Sequence, residues 1–279
     1  MSADPIAALP PLRETIARHG LDARRSLGQH FLLDLNLTRR IARTPGSLAE
    51  GTTIEIGPGP GGLTRALLLE GAARVVAVEF DRRAVAAMNE LAALADGRLQ
   101  VVEADALRLD IAALGPPPRR IVANLPYNVA TPLLIGWLRK ADAIADMVLM
   151  FQKEVADRIA ATPRTKAYGR LSVLCQHVCE IGARFDVPAA AFTPPPKVVS
   201  SVVRLTPRPA DQRLAELAPL EAVTAAAFGQ RRKMLRSSLG GAFTDPLAVL
   251  HELGLRPEAR AEELPAEAWI ALARARAAA

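Results

Sequence analysis

Asn124-Leu125-Pro126-Tyr127 combines two hydrogen-bond acceptors, a rigid turn and a flat ring. Those parts suit chemistry at the exocyclic amine of adenine, a poor nucleophile because its lone pair is delocalised into the ring. An Asn carboxamide oxygen can accept one amine N–H, and a backbone carbonyl, here that of Leu125, the other. That favours an amine whose lone pair points out of the ring plane. Pro126 fixes its own φ and brings no N–H. Tyr127 offers a face on which a base can stack. The apolar run Ile121-Val122-Ala123 reads as a buried strand, and open α/β sheets bind ligands at the carboxyl ends of their strands. The tetrapeptide thus stands where chemistry is expected, although four residues alone also fit a plain strand-to-proline turn.

A second constellation precedes it. Gly57, Gly59 and Gly62 satisfy G-x-G-x-x-G between the β-branched run Thr52–Ile56 and an apolar helical stretch, Leu63–Glu70. Glu79 follows Gly57 by 22 residues, at the end of the next strand, in register for a ribose diol. A dinucleotide is one reading of this pattern. Pro58 and Pro60 count against it, because a pyrophosphate wants N–H donors in the loop and each proline removes one. Glu55 adds a carboxylate that a pyrophosphate would repel. A nucleoside joined to a zwitterionic amino acid fits better, which points to S-adenosylmethionine. Asp105, past a third strand, can accept from the cofactor's adenine amine or cap a turn.

The elements that position these residues alternate. Strands are expected at Thr52–Ile56, Arg74–Val78, Leu99–Val102, Ile121–Ala123, Met147–Phe151, Ile181–Val187 and Val198–Leu205. The intervening stretches read as helices, among them Leu12–His19, a face formed by Leu33, Leu37 and Ile41, Arg82–Leu94 and Leu133–Leu138. Phe192–Lys197 reads as a rigid connection. The pattern predicts an α/β fold with a mostly parallel, doubly wound sheet over residues 1–206, including an amino-terminal arm over 1–25. A Pro-rich linker over 207–213 leads to a small all-helical domain over 214–279.

Half of the residues are apolar and 23% are charged, which excludes a disordered chain. The net charge of +6 makes an anionic partner the expectation. Cys175 and Cys179 are the only cysteines, too few for a zinc site, and nothing calls for a disulfide or an oxidising compartment. No metal is expected. The amino terminus does not read as a signal peptide, and no run of about 18 apolar residues suggests a membrane span.

Glu55-Ile-Gly-Pro-Gly59, Val78-Glu79, Asp105 and Asn124–Asn128 together resemble the ribosomal RNA adenine N6,N6-dimethyltransferases, and the bacterial small-subunit branch in particular. Three further stretches agree: Leu27-Gly-Gln-His-Phe-Leu32, Phe192-Thr-Pro-Pro-Pro-Lys-Val198 and Phe228-Gly-Gln-Arg-Arg-Lys-Met-Leu-Arg236. The resemblance spans about residues 20–240. It implies a Rossmann-like class I S-adenosylmethionine-dependent methyltransferase domain, with cofactor contacts at His30, Leu32, Gly57, Glu79, Asp105 and Asn124. Many relatives carry Asn where this chain has His30. The resemblance also implies that Asn124, Leu125 and Tyr127 act on the target base, with Phe192 facing Tyr127 across it. Dimethylation of two adjacent adenosines near the 3′ end of small-subunit ribosomal RNA follows from the resemblance alone. So do an acceptor in the immature small ribosomal subunit, a monomeric state and a cytoplasmic location.

Arg231, Arg232, Lys233 and Arg236 read as phosphate contacts to ribosomal RNA. They are placed on a helix whose apolar face is Phe228, Leu235 and Leu239. Two rivals remain: another RNA adenine methyltransferase, such as a large-subunit enzyme of the antibiotic-resistance type, and a non-enzymatic RNA-binding assembly or transcription factor on the same scaffold.

Overall fold

The computed structural model describes residues 4–21 and 29–278. Arg24, Arg25, Leu27 and Gly28, with the turn expected at Gly28, lie outside the described residues. The chain divides into two compact units, Met1–Lys153 with Gly182–Pro207 and Glu154–Ile181 with Arg208–Ala279. The second boundary falls at the expected linker. The stretch 154–181, expected with the sheet, groups instead with the carboxyl-terminal helices.

The first unit opens with α1 (Leu12–Arg18), followed by the two-residue strand β1 (Phe31–Leu32) and α2 (Leu35–Arg43). Asp34 caps α2 by accepting from Asn36 N at 2.8 Å, so the helix starts after Leu33 and that residue drops from the expected face. Next come β2 (Thr52–Ile56), α3 (Gly62–Leu69), β3 (Val75–Glu79), α4 (Arg82–Ala92), β4 (Leu99–Glu103) and β5 (Arg119–Asn124). α5 (Tyr127–Leu138) and β6 (Asp146–Gln152) follow. α5 begins six residues earlier than Leu133, because its internal Pro132 had masked the first turns.

The main sheet has the order β4-β3-β2-β5-β6-β9-β7, with β7 at Cys179–Val187 and β9 at Ser200–Pro207. From β4 to β6 the strands are parallel, and β9 runs antiparallel to β6. Every residue of β2 and β3 is buried, as expected of parallel strands covered on both faces. The buried Asp146 accepts from Arg204 Nε at 2.8 Å and Thr206 Oγ1 at 3.1 Å, which ties β6 to its antiparallel neighbour.

A second, two-stranded sheet was not anticipated. Phe192–Thr193 forms β8 and pairs antiparallel with β1, Phe31 opposite Thr193 and Leu32 opposite Phe192. Two-residue strands leave no periodicity in the sequence. The expected rigid connection is therefore also a strand that carries the 192–197 stretch to the 29–32 stretch.

The second unit contains α7 (Arg170–Val178), α8 (Ala218–Gly229), α9 (Leu235–Ser238), α10 (Pro246–Glu252) and α11 (Ala266–Ala278), with most of α6 (Lys153–Ile159). Its core holds Trp269, fully buried and stacked on Phe228 at 5.2 Å, with Tyr168 edge-on to Phe228 at 6.0 Å. Cys175 and Cys179 are fully buried and form no disulfide, and burial pushes the Cys175 thiol well up. The helix expected to carry Phe228, Leu235 and Leu239 on one face breaks at Gln230. Gly229 ends α8, and the backbone of 234–236 then bonds to 257–260: Leu235 N to Ala259 O at 2.8 Å and Arg236 N to Pro257 O at 3.1 Å. Arg231–Lys233 thus form a turn, and Arg236 lies on the short helix α9.

Candidate active site

A cavity of about 360 Å³ lies at the carboxyl ends of β2 to β5. The glycine loop forms its floor. Gly57 donates to Val78 O at 2.9 Å, Gly59 to Glu79 Oε2 at 3.1 Å and Gly61 to Pro58 O at 3.0 Å. Pro58 and Pro60 have no N–H. From 57 to 61 every backbone donor is therefore absent or spent within the protein, and the loop can approach a ligand closely but gives a phosphate nothing. Close approach needs glycine. Gly59 has φ +54°, and a Cβ there would meet the Phe31 ring at 3.0 Å. A Cβ on Gly62 would lie 2.7 Å from Leu32 O.

Glu79, at the end of β3, is buried and clasped by three backbone N–H groups. Phe80 N donates to Oε1 at 2.7 Å and Asp81 N at 2.8 Å, besides Gly59 N on Oε2. Burial pushes its pKa up, and those three bonds pull the other way. One N–H on Oε2 leaves that oxygen able to accept from a hydroxyl.

Glu55 behaves differently. It is 1% exposed, accepts from Thr64 Oγ1 at 2.6 Å, and burial pushes its pKa to about 8. At neutral pH it is an uncharged acid. The repulsion of a pyrophosphate expected from it does not arise, and the case against one rests on the spent N–H groups.

Asp105 lines the cavity and caps a short turn, accepting from Leu107 N at 3.0 Å. The cap is the reading observed: Oδ1 accepts from Leu107 N, and Oδ2 lies 3.7 Å from Arg108 Nε. Phe80 and Leu107 also line the cavity although 70% and 52% exposed. Neither stood out in the sequence. Their signal was an exposed apolar residue placed directly after, or two after, an acid at a strand end.

Asn124 ends β5 and Tyr127 is the first residue of α5, so Leu125 and Pro126 form the whole connection. The Asn124 amide nitrogen donates to His30 O at 3.1 Å. That carbonyl can only accept, which fixes the amide's orientation and leaves Oδ1 as its acceptor. Leu125 lines the cavity with its side chain buried. The Tyr127 hydroxyl is 2.6 Å from Ser200 Oγ, and burial raises its pKa.

Leu32, Gly57, Glu79, Asp105, Asn124, Leu125, Tyr127 and His30 all line this one cavity. Phe192 does not. It is 3% exposed, packed in the core, and touches His30 edge-on at 6.5 Å. The ring facing Tyr127 is that of His30, at 5.9 Å with planes 30° apart. The basic residues lie in the second unit. Arg231 donates to Glu262 Oε2 at 2.6 Å and to Thr165 O at 3.2 Å, whereas Arg232 and Lys233 are exposed with no ion pair among the described residues. Arg236 stands 3.9 Å from Glu258.

Five parallel strands with the antiparallel β9 inserted before the edge strand β7, and acids at the ends of β3 and β4 around a glycine loop after β2, define the class I S-adenosylmethionine-dependent methyltransferase fold. The comparisons narrow this class. The chain belongs to the ribosomal RNA adenine dimethylase family, whose sequence profile matches residues 20–277. It is 64% identical to the ribosomal RNA small subunit methyltransferase A of Rhodospirillum rubrum, over 96% of this chain and 92% of that one. Among solved structures it resembles a dimethyladenosine transferase from Plasmodium falciparum, with 25% identity, a TM-score of 0.76, and coverage of 87% of this chain and 96% of that one. It also resembles the 23S rRNA methyltransferase ErmE, at 27% identity and TM-score 0.64, covering 88% and 98% of the two chains. Among the described residues no group of three or more His, Cys, Asp or Glu could hold a metal ion, and no helix is long and apolar enough to cross a membrane.

Proposed function

We propose that this chain transfers methyl groups from S-adenosylmethionine to N6 of adenines in small-subunit ribosomal RNA, dimethylating two adjacent adenosines of the immature subunit. The observation that carries the reading is one cavity in which a glycine loop with no free N–H from 57 to 61 meets Asn124 and Tyr127. The residues fit the cofactor. Glu79 Oε2 keeps a lone pair for a ribose hydroxyl, Asp105 stands beside it for an adenine amine, and the loop makes no demand for phosphate.

Bound there, S-adenosylmethionine supplies a methyl group already activated on a sulfonium. The protein's task is alignment at near-attack distance. Asn124 Oδ1, oriented by the amide bond to His30 O, and the Leu125 carbonyl accept the two amine N–H groups. Both then stabilise the positive charge that develops on nitrogen. No general base is required, because the alkylated ammonium is strongly acidic and loses its proton to water. Extruding the adenine from its stack costs about a few kcal/mol, and stacking on Tyr127 offsets part of that. Arg232 and Lys233 hold RNA phosphates from the second unit. The acceptor sets the cytoplasm as the site of action, and the chain works as a monomer.

The test supplies radiolabelled S-adenosylmethionine with naked ribosomal RNA, immature small subunits, large subunits and DNA. Label recovered as N6,N6-dimethyladenosine from immature small subunits is the expected result. Label in large-subunit RNA or DNA alone, or none, overturns the reading.

A further inference from the structure

Resting on that reading, we propose that Ser200 is a positioning residue, whose hydroxyl fixes the direction and plane of the Tyr127 ring on which the acceptor adenine stacks. Ser200 starts β9, opposite Gln152 of β6, and is fully buried. It does not line the cavity, so it can act there only through a neighbour. That neighbour is Tyr127, whose hydroxyl lies 2.6 Å from Ser200 Oγ. Among the described residues neither hydroxyl has another partner.

The two ends of this bond are held differently. Ser200 Oγ hangs by one rotor from a backbone paired into the sheet, which makes it a nearly fixed point. Tyr127, the first residue of α5, is half-buried and has two rotors between backbone and ring. A phenolic O–H lies in the plane of its ring, because the oxygen conjugates with it. A bond from a fixed point to that oxygen therefore sets both where the ring points and how it is turned. Burial raises the pKa of the phenol, so at neutral pH two uncharged hydroxyls meet and one always supplies the hydrogen.

Stability alone does not call for this pair. The strand continues into the buried Val202, Val203 and Leu205, an apolar setting. Replacing both partners of a buried hydrogen bond by apolar groups of the same shape is nearly neutral to a fold. Phenylalanine and alanine would fill the same space, but would leave the turn of the ring unset. Methyl transfer needs the amine at a near-attack distance and angle. A base lying on a loosely turned ring reaches that geometry less often. Loss of the bond therefore acts on the transfer step more than on capture of the subunit.

Single and double substitutions separate position from stability. Ser200→Ala and Tyr127→Phe remove the same bond, so each should lower kcat on immature small subunits by about twofold to tenfold, the worth of one hydrogen bond. KM for the subunit and calorimetric affinity for S-adenosylmethionine should stay within about twofold of wild type, which also shows the variants folded. Tyr127→Phe combined with Ser200→Ala leaves no hydroxyl unpaired and should melt close to wild type, yet its kcat should stay as low as that of either single variant. A double variant that regains wild-type kcat along with its melting temperature makes the bond purely structural and overturns the proposal. So does an unchanged kcat in Ser200→Ala. Wild-type protein is assayed alongside: if it fails to methylate any acceptor, the functional reading falls, whereas an active wild type with either contrary result removes only the role of Ser200.

Discussion

The cavity and the basic turn are both rich in groups suited to function, yet they are organised in opposite ways. Around the cavity, main chain holds side chain. Three N–H groups clasp Glu79, a carbonyl orients Asn124, and the glycine loop spends its own donors. In the turn the anchored cation is held chiefly by a side chain: Arg231 donates to Glu262 at 2.6 Å, with a longer bond to Thr165 O, and Arg232 and Lys233 are left to solvent. Groups coupled to a strand end are placed by the strand, so their spacing along the chain carries their geometry. Groups in a charge run are placed by whichever partner folds against them, and spacing says little.

The largest effect should come from the most main-chain-dependent residue. Asn124→Ala should slow methyl transfer by about 10²–10³, or 3–4 kcal/mol, as loss of one preorganised polar group does. Single-turnover rates on immature subunits measure it. A variant within about fivefold of wild type would mean that Asn124 holds only the His30 carbonyl, and that the cavity's acceptor lies elsewhere.

The contrast also explains what could be read from the chain. Thr52–Ile56, Glu79 and Asn124 were legible because burial on both sheet faces and the strand-end rule fix them together. The break at Gln230 was not, because Phe228, Leu235 and Leu239 keep helical spacing and all three side chains pack inward or against core rings, whether or not one helix carries them. The β1–β8 pair was invisible for want of length. The charge state of Glu55 was invisible too, since only the packing around it, and not its place before the loop, sets its proton affinity.

That charge state can be tested next. The folded pKa of about 8 lies above the ordinary value of 4.5, so the fold favours the protonated acid. Its contribution to stability is complete below 4.5 and is lost as pH rises toward 8, on the order of 3–5 kcal/mol. Glu55→Gln keeps the acceptor for Thr64 and cannot ionise. Thermal melts between pH 5 and 8 should decline for wild type and stay flatter for the variant. Parallel curves would show that Glu55 is ionised and that the cavity does carry its charge.

Glu79→Ala should act on binding. A charge-assisted hydrogen bond to a ribose is worth about 1–3 kcal/mol, and calorimetry with S-adenosylmethionine on the folded variant should show that loss, with a lowered melting temperature because three backbone N–H groups lose their acceptor. Unaltered affinity would make the three-way clasp a device for holding the glycine loop and nothing more.

The smallest expected effect separates the members of the basic turn. If the turn holds RNA by its phosphates, only cations without a protein partner can release counterions on binding. Arg232 and Lys233 meet that condition, whereas Arg231 is engaged by Glu262 and Thr165. Removing one cation that neutralises a phosphate reduces the slope of log K against log salt by about 0.7–0.9. Arg232→Ala with Lys233→Ala should therefore flatten the slope for immature small subunits by about 1.4–1.8. Arg231→Ala should leave the slope alone and cost about 0–1 kcal/mol of stability, since its ion pair is partly solvent-screened. Cofactor affinity should be unaffected in both, because no residue of the turn lines the cavity. If Arg231→Ala flattens the slope and the double variant does not, the ion pair opens on RNA binding, and the turn is organised by its ligand rather than by Glu262.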